Sequence, residues 1–185
     1  MKIVIAGGFG VGKTTLVGAV SEIPPLTTEQ LLTDASSRTD SLVGVESKTT
    51  TTVFMDFGRI TFDAMVLFLF GTPGQERFLH VWDDLSHGAV GAVVLADTRR
   101  LEDSFTAVNY FEQRATPFVV AINEFGDAYQ YRTDEIRHAL ELPDAVPLLR
   151  CDARDTRSAI NVLTALVRHV LSTTASCYPA LGARP

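Results

Sequence analysis

Apolar positions along this chain change their period several times, and each change marks an element. Residues 3–6, Ile-Val-Ile-Ala, form a short continuous apolar run that ends in a glycine-rich segment. That is the pattern of a buried parallel strand feeding a turn. A helix is expected over 13–21 and is closed by Pro24-Pro25, because proline cannot continue the helical ladder and pushes its predecessor towards extended geometry. Residues 24–48 are rich in Thr, Ser and Asp and carry no sustained strand pattern, with at most a helical turn around 28–32. Segments of that length in compact domains tend to be functional or mobile.

Residues 52–62 and 65–70, joined across Asp63-Ala64, read as a hairpin whose second strand returns to the sheet centre. Strands and helices then alternate. A strand is expected over 89–96, a helix over 103–114, a strand over 117–122, and a helix over 133–142 with Thr133 as its cap and Ile136 and Leu140 inward. A short strand at 147–149 precedes a closing amphipathic helix on Ile160, Leu163, Leu166, Val167, Val170 and Leu171, capped near Asp155 or Thr156. Alternation of this kind predicts an α/β sheet covered on both faces. One domain is expected over 1–172, followed by a loose tail at 173–185, and there are no internal repeats.

Composition narrows the function more than the fold. With 185 residues, 46% apolar and 21% charged, the chain suits one domain with one sizeable core, and disorder over most of its length is excluded. Sixteen basic against 22 acidic residues leave a net charge of −6, the wrong sign for a protein that neutralises nucleic-acid phosphates. Cys151 and Cys177 have no metal or disulfide spacing, which points to reduced thiols in a cytoplasm. The longest apolar stretches fall short of the roughly 20 residues that cross a bilayer, and the amino terminus runs straight into a strand, so no signal peptide or membrane span is expected. Cys177 lacks a lipidation box, which leaves no direct membrane anchor. The four histidines have no ligand spacing.

Only three lysines occur, and one of them, Lys13, sits inside a glycine-rich loop. Gly7-Gly8-Phe9-Gly10-Val11-Gly12-Lys13-Thr14 fits G-x-x-x-x-G-K-[ST] at every fixed position and lies between a predicted strand and a predicted helix. Glycines let successive backbone N–H groups turn around an anion, and the helix N-terminus adds positive potential. Lys13 reaches the terminal phosphates and the Thr14 hydroxyl ligates Mg²⁺, with Thr15 beside it in the first turn. Phosphate binding by a nucleotide is the firmest reading of this chain.

A second segment selects the class. Gly71-Thr72-Pro73-Gly74-Gln75-Glu76-Arg77-Phe78 follows the second hairpin strand, and here the chain resembles the Ras-like small GTPases, whose equivalent segment ends in Gly-Gln-Glu. The threonine-led 52–57 resembles the strand that closes the first switch, Asn123 ends a strand where the family reads its base, and Cys151-Asp152-Ala153-Arg154 resembles the final Ser-Ala-Lys loop. The most similar branches are bacterial, the MglA-like GTPases and the conservon-type ATP/GTP-binding proteins of actinobacteria. The resemblance implies a three-layer P-loop fold with a mostly parallel six-stranded sheet and one antiparallel edge strand. It implies GTP or GDP with Mg²⁺ as cofactors, Gly74 as the γ-phosphate contact, and Gln75 with Lys13 as catalytic groups. Thr52, or Thr51 beside it, would supply the second hydroxyl to the metal. Asn123, Asp127, Ala153 and Arg154 would line the base. The implied function is a cytoplasmic switch that hydrolyses GTP slowly. Its implied partners are a roadblock-type protein and a sensor-kinase-like membrane protein through which it is recruited.

The chain departs from the family at three places. The aspartate that ends strand three and holds a magnesium-bound water falls here on Gly71, so Mg²⁺ is expected to bind more weakly or through Thr14 and phosphate alone. Phe9 replaces a small residue beside the γ-phosphate, implying slow intrinsic hydrolysis. In place of Asn-Lys-x-Asp stands Asn123-Glu124-Phe125-Gly126-Asp127, with the lysine replaced by an acid and the carboxylate one residue late. These departures sustain an alternative reading, a nucleotide-binding scaffold without significant turnover; a P-loop kinase or ATPase is weaker because no arginine-rich lid is present. Trp82 reads equally as core packing or as a partner-facing patch, and Asp97-Thr98-Arg99-Arg100 reads first as a charged sheet edge, with an arginine facing the nucleotide as the second reading.

Overall fold

The computed structural model describes residues 1–31, 50–62, 64–75 and 78–177, with the backbone alone described at 27–31, 50–54 and 175–177. β1 (Lys2–Gly7) lies inside a sheet of order β2-β3-β4-β1-β5-β6-β7. β4 (Met65–Gly71) and β5 (Gly91–Ala96) flank it in parallel, and β6 (Phe118–Asn123) and β7 (Leu148–Cys151) continue the parallel set. β3 (Thr50–Phe62) runs antiparallel to β4. These are the six strands expected from the sequence, mostly parallel with one antiparallel member.

β2 (Leu26–Leu31) extends the sheet by a further antiparallel strand outside β3, so β3 is not the edge. This corrects the helical turn expected at 28–32. Thr27 and Thr28 are β-branched and lose rotamer freedom in a helix, and the 13-residue β3 offers the segment a ladder, interrupted by a bulge between Thr27 and Glu29.

Two apolar clusters sandwich the sheet, each fed by alternate residues of the same strands. Ile3 and Ile5 face α1 (Lys13–Val20) and α5 (Thr156–Cys177). Val4 and Ala6 face the opposite cluster, to which α2 (Leu79–Ser86), α3 (Phe105–Gln113) and α4 (Thr133–Ala139) contribute Trp82, Phe111 and Ile136. The helix expected over 103–114 is divided. A 3-10 segment, Thr98–Ser104, starts where the Asp97 side chain accepts the Arg99 N–H, and α3 follows it. The cap of α4 is Arg132 rather than Thr133, with Glu135 reaching back to accept the Arg132 N–H at 2.7 Å. α5 runs on to Cys177, past the boundary expected at 172, and residues 178–185 lie outside the described ones, as do 32–49. No helix among the described residues is long and apolar enough to cross a membrane.

Candidate functional site

The sheet places the glycine-rich loop at the carboxyl end of β1, and three of its glycines sit in backbone conformations that side chains avoid: Gly7 at φ 137°, Gly10 at 74° and Gly12 at 105°. At Gly7 a Cβ would also lie 2.3 Å from the Leu95 carbonyl oxygen of β5, so the loop grips the neighbouring strand through bare backbone. Lys13 opens α1 and folds back over the loop. Its Nζ donates to the carbonyls of Gly7 and Gly8 at 2.8 and 2.7 Å, and only 6% of the residue is exposed. A buried ammonium fixed on the mouth of a glycine loop has the charge and the position that an anion site requires. Thr14 is half-buried beside it and Thr15 is exposed.

The segment after β4 closes on this cradle. A Cβ at Gly74 would lie 2.7 Å from Lys13 Nζ and 2.8 Å from Phe9 Cα, so the two backbones pack directly against each other. Gln75, next in the chain, is buried. The start of the loop is tied twice: the Thr72 N–H donates to Ile5 O at 2.9 Å, and Trp82 Nε1 donates to Pro73 O at 3.1 Å. Trp82 is 3% exposed, stacked on Phe111 and edge-on to Tyr110, so of its two readings core packing is the observed one.

On the other side Arg100, buried and kinked out of helical geometry, donates to the Phe9 carbonyl at 2.7 Å. The second arginine of that sequence therefore reaches the loop itself, through its backbone.

Asp56 is a site residue that the sequence pattern does not single out. It lies on the inward face of β3, fully buried, and its Oδ2 accepts the Thr14 hydroxyl at 2.7 Å. Its antiparallel partner is Gly71. The signal was present as an acid inside an otherwise apolar strand run, Val53-Phe54-Met55-Asp56-Phe57. A hydroxyl and a carboxylate together form an oxygen-only donor set, the kind that suits Mg²⁺. No group of three or more His, Cys, Asp or Glu side chains placed to hold a metal forms among the described residues. Of the threonines expected at the metal, Thr52 has its backbone in β3 opposite Glu29, and its side chain lies outside the described residues.

The far end of the loop meets β6 and β7. Asn123 Nδ2 donates to Val11 O at 2.9 Å, and its Oδ1 accepts the Ala153 N–H at 2.9 Å, so one buried side chain joins the phosphate loop to the last loop. Asp127 is held by Arg99, whose Nη1 donates to both carboxylate oxygens at 3.0 and 3.1 Å. Arg99 in turn grips buried Asp97 at 2.7 Å and lies 3.8 Å over the Phe125 ring. That arginine lowers the Asp127 carboxyl below the usual range, and Asp97 raises the Arg99 guanidinium against the opposing effect of burial.

Glu124, which replaces the family's lysine, faces away to Arg150 on β7 at 3.4 Å. Arg154 is exposed and returns to Asp152 at 2.8 Å. Burial, then Asp152 and Glu124, push the Cys151 thiol up to about 12, so it is an inert neutral side chain at physiological pH.

Comparison with known proteins agrees with this geometry. A family model described as "Conserved hypothetical ATP binding protein" matches residues 5–173. The uncharacterized protein MJ1339 of Methanocaldococcus jannaschii is 29% identical over 126 residues, covering 67% of this chain and 70% of that protein. Among solved structures, the FeoB G-domain of Methanococcus jannaschii superposes with a TM-score of 0.62 at 14% identity, covering 92% of this chain and 97% of the other. The cytosolic domain of the T. maritima FeoB iron transporter in apo form gives 0.62 at 16%, covering 92% of this chain and 64% of its own. The fold is thus that of a G-domain.

Proposed function

The chain belongs to the family described as conserved hypothetical ATP-binding proteins, and from that premise we propose that it is a guanine-nucleotide switch with slow GTP hydrolysis. The observation that carries this reading is the contact between the two loops: Gly74 packs on Lys13 and Phe9 where a terminal phosphate would enter. A γ-phosphate takes Lys13 away from the Gly7 and Gly8 carbonyls and displaces Gly74, so the 72–75 loop has one position with the terminal phosphate and another without it. Gln75 leaves its buried place in the same step and orients the attacking water. Trp82, bonded to Pro73, carries the displacement to α2.

Magnesium, when bound with the nucleotide, offsets phosphate charge, and Thr14 is the hydroxyl placed to hold it. At the base, Asn123 would form the pocket wall, and Asp127, exposed and held by Arg99, would read the base despite its late position in the sequence. Resemblance to the MglA-like and conservon-type proteins supports a cytoplasmic signalling role with roadblock-type and sensor-kinase-like partners. A catalytically impaired scaffold is the second reading, favoured by the burial of Gln75 and by Phe9 beside the phosphate position.

The test is competition of GTP, GDP and ATP against a fluorescent guanine nucleotide. Guanine nucleotides are expected to win by a hundredfold or more, about 2.7 kcal/mol, and Lys13→Ala to abolish binding. Equal competition by ATP would sink the guanine reading, and turnover no faster than the uncatalysed rate would favour the scaffold.

A further inference from the structure

Gly71 and Asp56 form a reciprocal pair. They are direct cross-strand partners of β3 and β4, and a Cβ at position 71 would lie 3.0 Å from Asp56 Oδ2 and 3.1 Å from Asp56 Cβ. Both distances are tighter than ordinary contact, so a side chain at 71 and the carboxylate of Asp56 compete for one space. The chain has filled that space from β3 and left β4 bare.

The space it fills borders the nucleotide loop, because Asp56 Oδ2 is the acceptor of the Thr14 hydroxyl at 2.7 Å. A divalent cation taken up by the Thr14 oxygen therefore finds a carboxylate oxygen as its immediate neighbour, within reach directly or through one bound water. Asp56 is fully buried at the carboxyl end of the parallel strands, opposite Gly71.

We propose that Asp56 is the carboxylate of the magnesium site in this protein, presented from β3 across the ladder in place of an acid at position 71. This rests on the nucleotide-binding reading and assigns the metal's protein oxygens to Thr14 and Asp56. The bond that Thr14 donates to Asp56 is the metal-free arrangement. On cation binding the hydroxyl oxygen turns its lone pair to the ion, and the carboxylate exchanges the hydroxyl proton for the ion or its water.

The experiment measures GDP affinity of the full chain in Mg²⁺ and in EDTA, and takes the ratio as the readout. Asp56→Asn is expected to reduce that ratio at least tenfold. The double variant Asp56→Ser with Gly71→Asp, which moves the carboxylate across the ladder, is expected to recover most of it. A ratio that Asp56→Asn leaves unaltered would overturn the proposal. So would an equal fall of affinity in both arms, the signature of a group that only supports Thr14.

The unmodified protein supplies a check independent of folding. Mn²⁺ added with GDP should broaden the carboxyl carbon resonance of Asp56 together with the side-chain signals of Thr14, and a sharp Asp56 signal in saturating Mn²⁺ also overturns the assignment. Failure of the wild-type chain to bind GDP in either condition would instead refute the nucleotide reading, and this proposal with it.

Discussion

Asp127 shows how a residue outside the regular elements is fixed by a neighbouring loop. Its carboxylate is late by one residue, yet Arg99 clamps both oxygens, and Asp97 and the Phe125 ring fix Arg99 in turn. Because the folded state holds Asp127 below its ordinary value of 3.8, chiefly through Arg99, the clamp contributes stability that is complete above the unfolded value. That contribution is lost as pH falls through the lowered folded value. Unfolding midpoints of wild type and Arg99→Ala, measured from neutral pH downwards, should therefore differ by a constant amount at neutral pH and converge in acid. A gap that widens on acidification would contradict the clamp.

The phosphate loop was legible at this scale because its chemistry lies in eight consecutive residues. Asp56 and Arg99 were not, since each acts on a residue that only strand register or a 3-10 turn brings near it.

At the scale of elements, α2 is the part coupled to the site. Its Trp82 packs on Phe111 and Tyr110 and gives its one polar hydrogen to Pro73 O, tying a helix to the loop that covers Lys13. Trp82→Phe keeps one aromatic ring but leaves a cavity and deletes the hydrogen bond, so it should lower stability by about 1–3 kcal/mol in urea unfolding. Nucleotide binding should become faster, because the 72–75 loop is released from α2. Unchanged stability together with unchanged binding kinetics would remove α2 from the mechanism.

The strand and helix pattern exposed most elements, since their apolar periods are local. β2 was hidden because its threonine-rich sequence has no alternation of its own and becomes a strand only against β3. The division of the helix expected over 103–114 was hidden likewise, being set by the Asp97 cap and the kink at Arg100.

Taken whole, the molecule arranges its sheet so that every group discussed lies at the carboxyl ends of β1, β4, β5, β6 and β7 or on the strand facing them. That is where ligands bind in open α/β sheets. Asn123 joins the phosphate loop to the last loop, Arg100 joins it to the 3-10 segment, and Gly74 closes its front. A ligand seated on Lys13 therefore touches groups tied to most of the elements, while the net charge of −6 leaves the cradle as a local cationic feature on an acidic protein.

In the proposed switch, the terminal phosphate moves the 72–75 loop and α2 as one unit. Amide hydrogen exchange of the full chain, compared between GDP and a non-hydrolysable GTP analogue at saturation with Mg²⁺, tests it directly. Exchange should differ between the two states at 72–75 and along Leu79–Ser86, with β5 and β6 alike in both. Identical exchange over those residues, with both nucleotides bound, would contradict a switch and leave a nucleotide-binding scaffold.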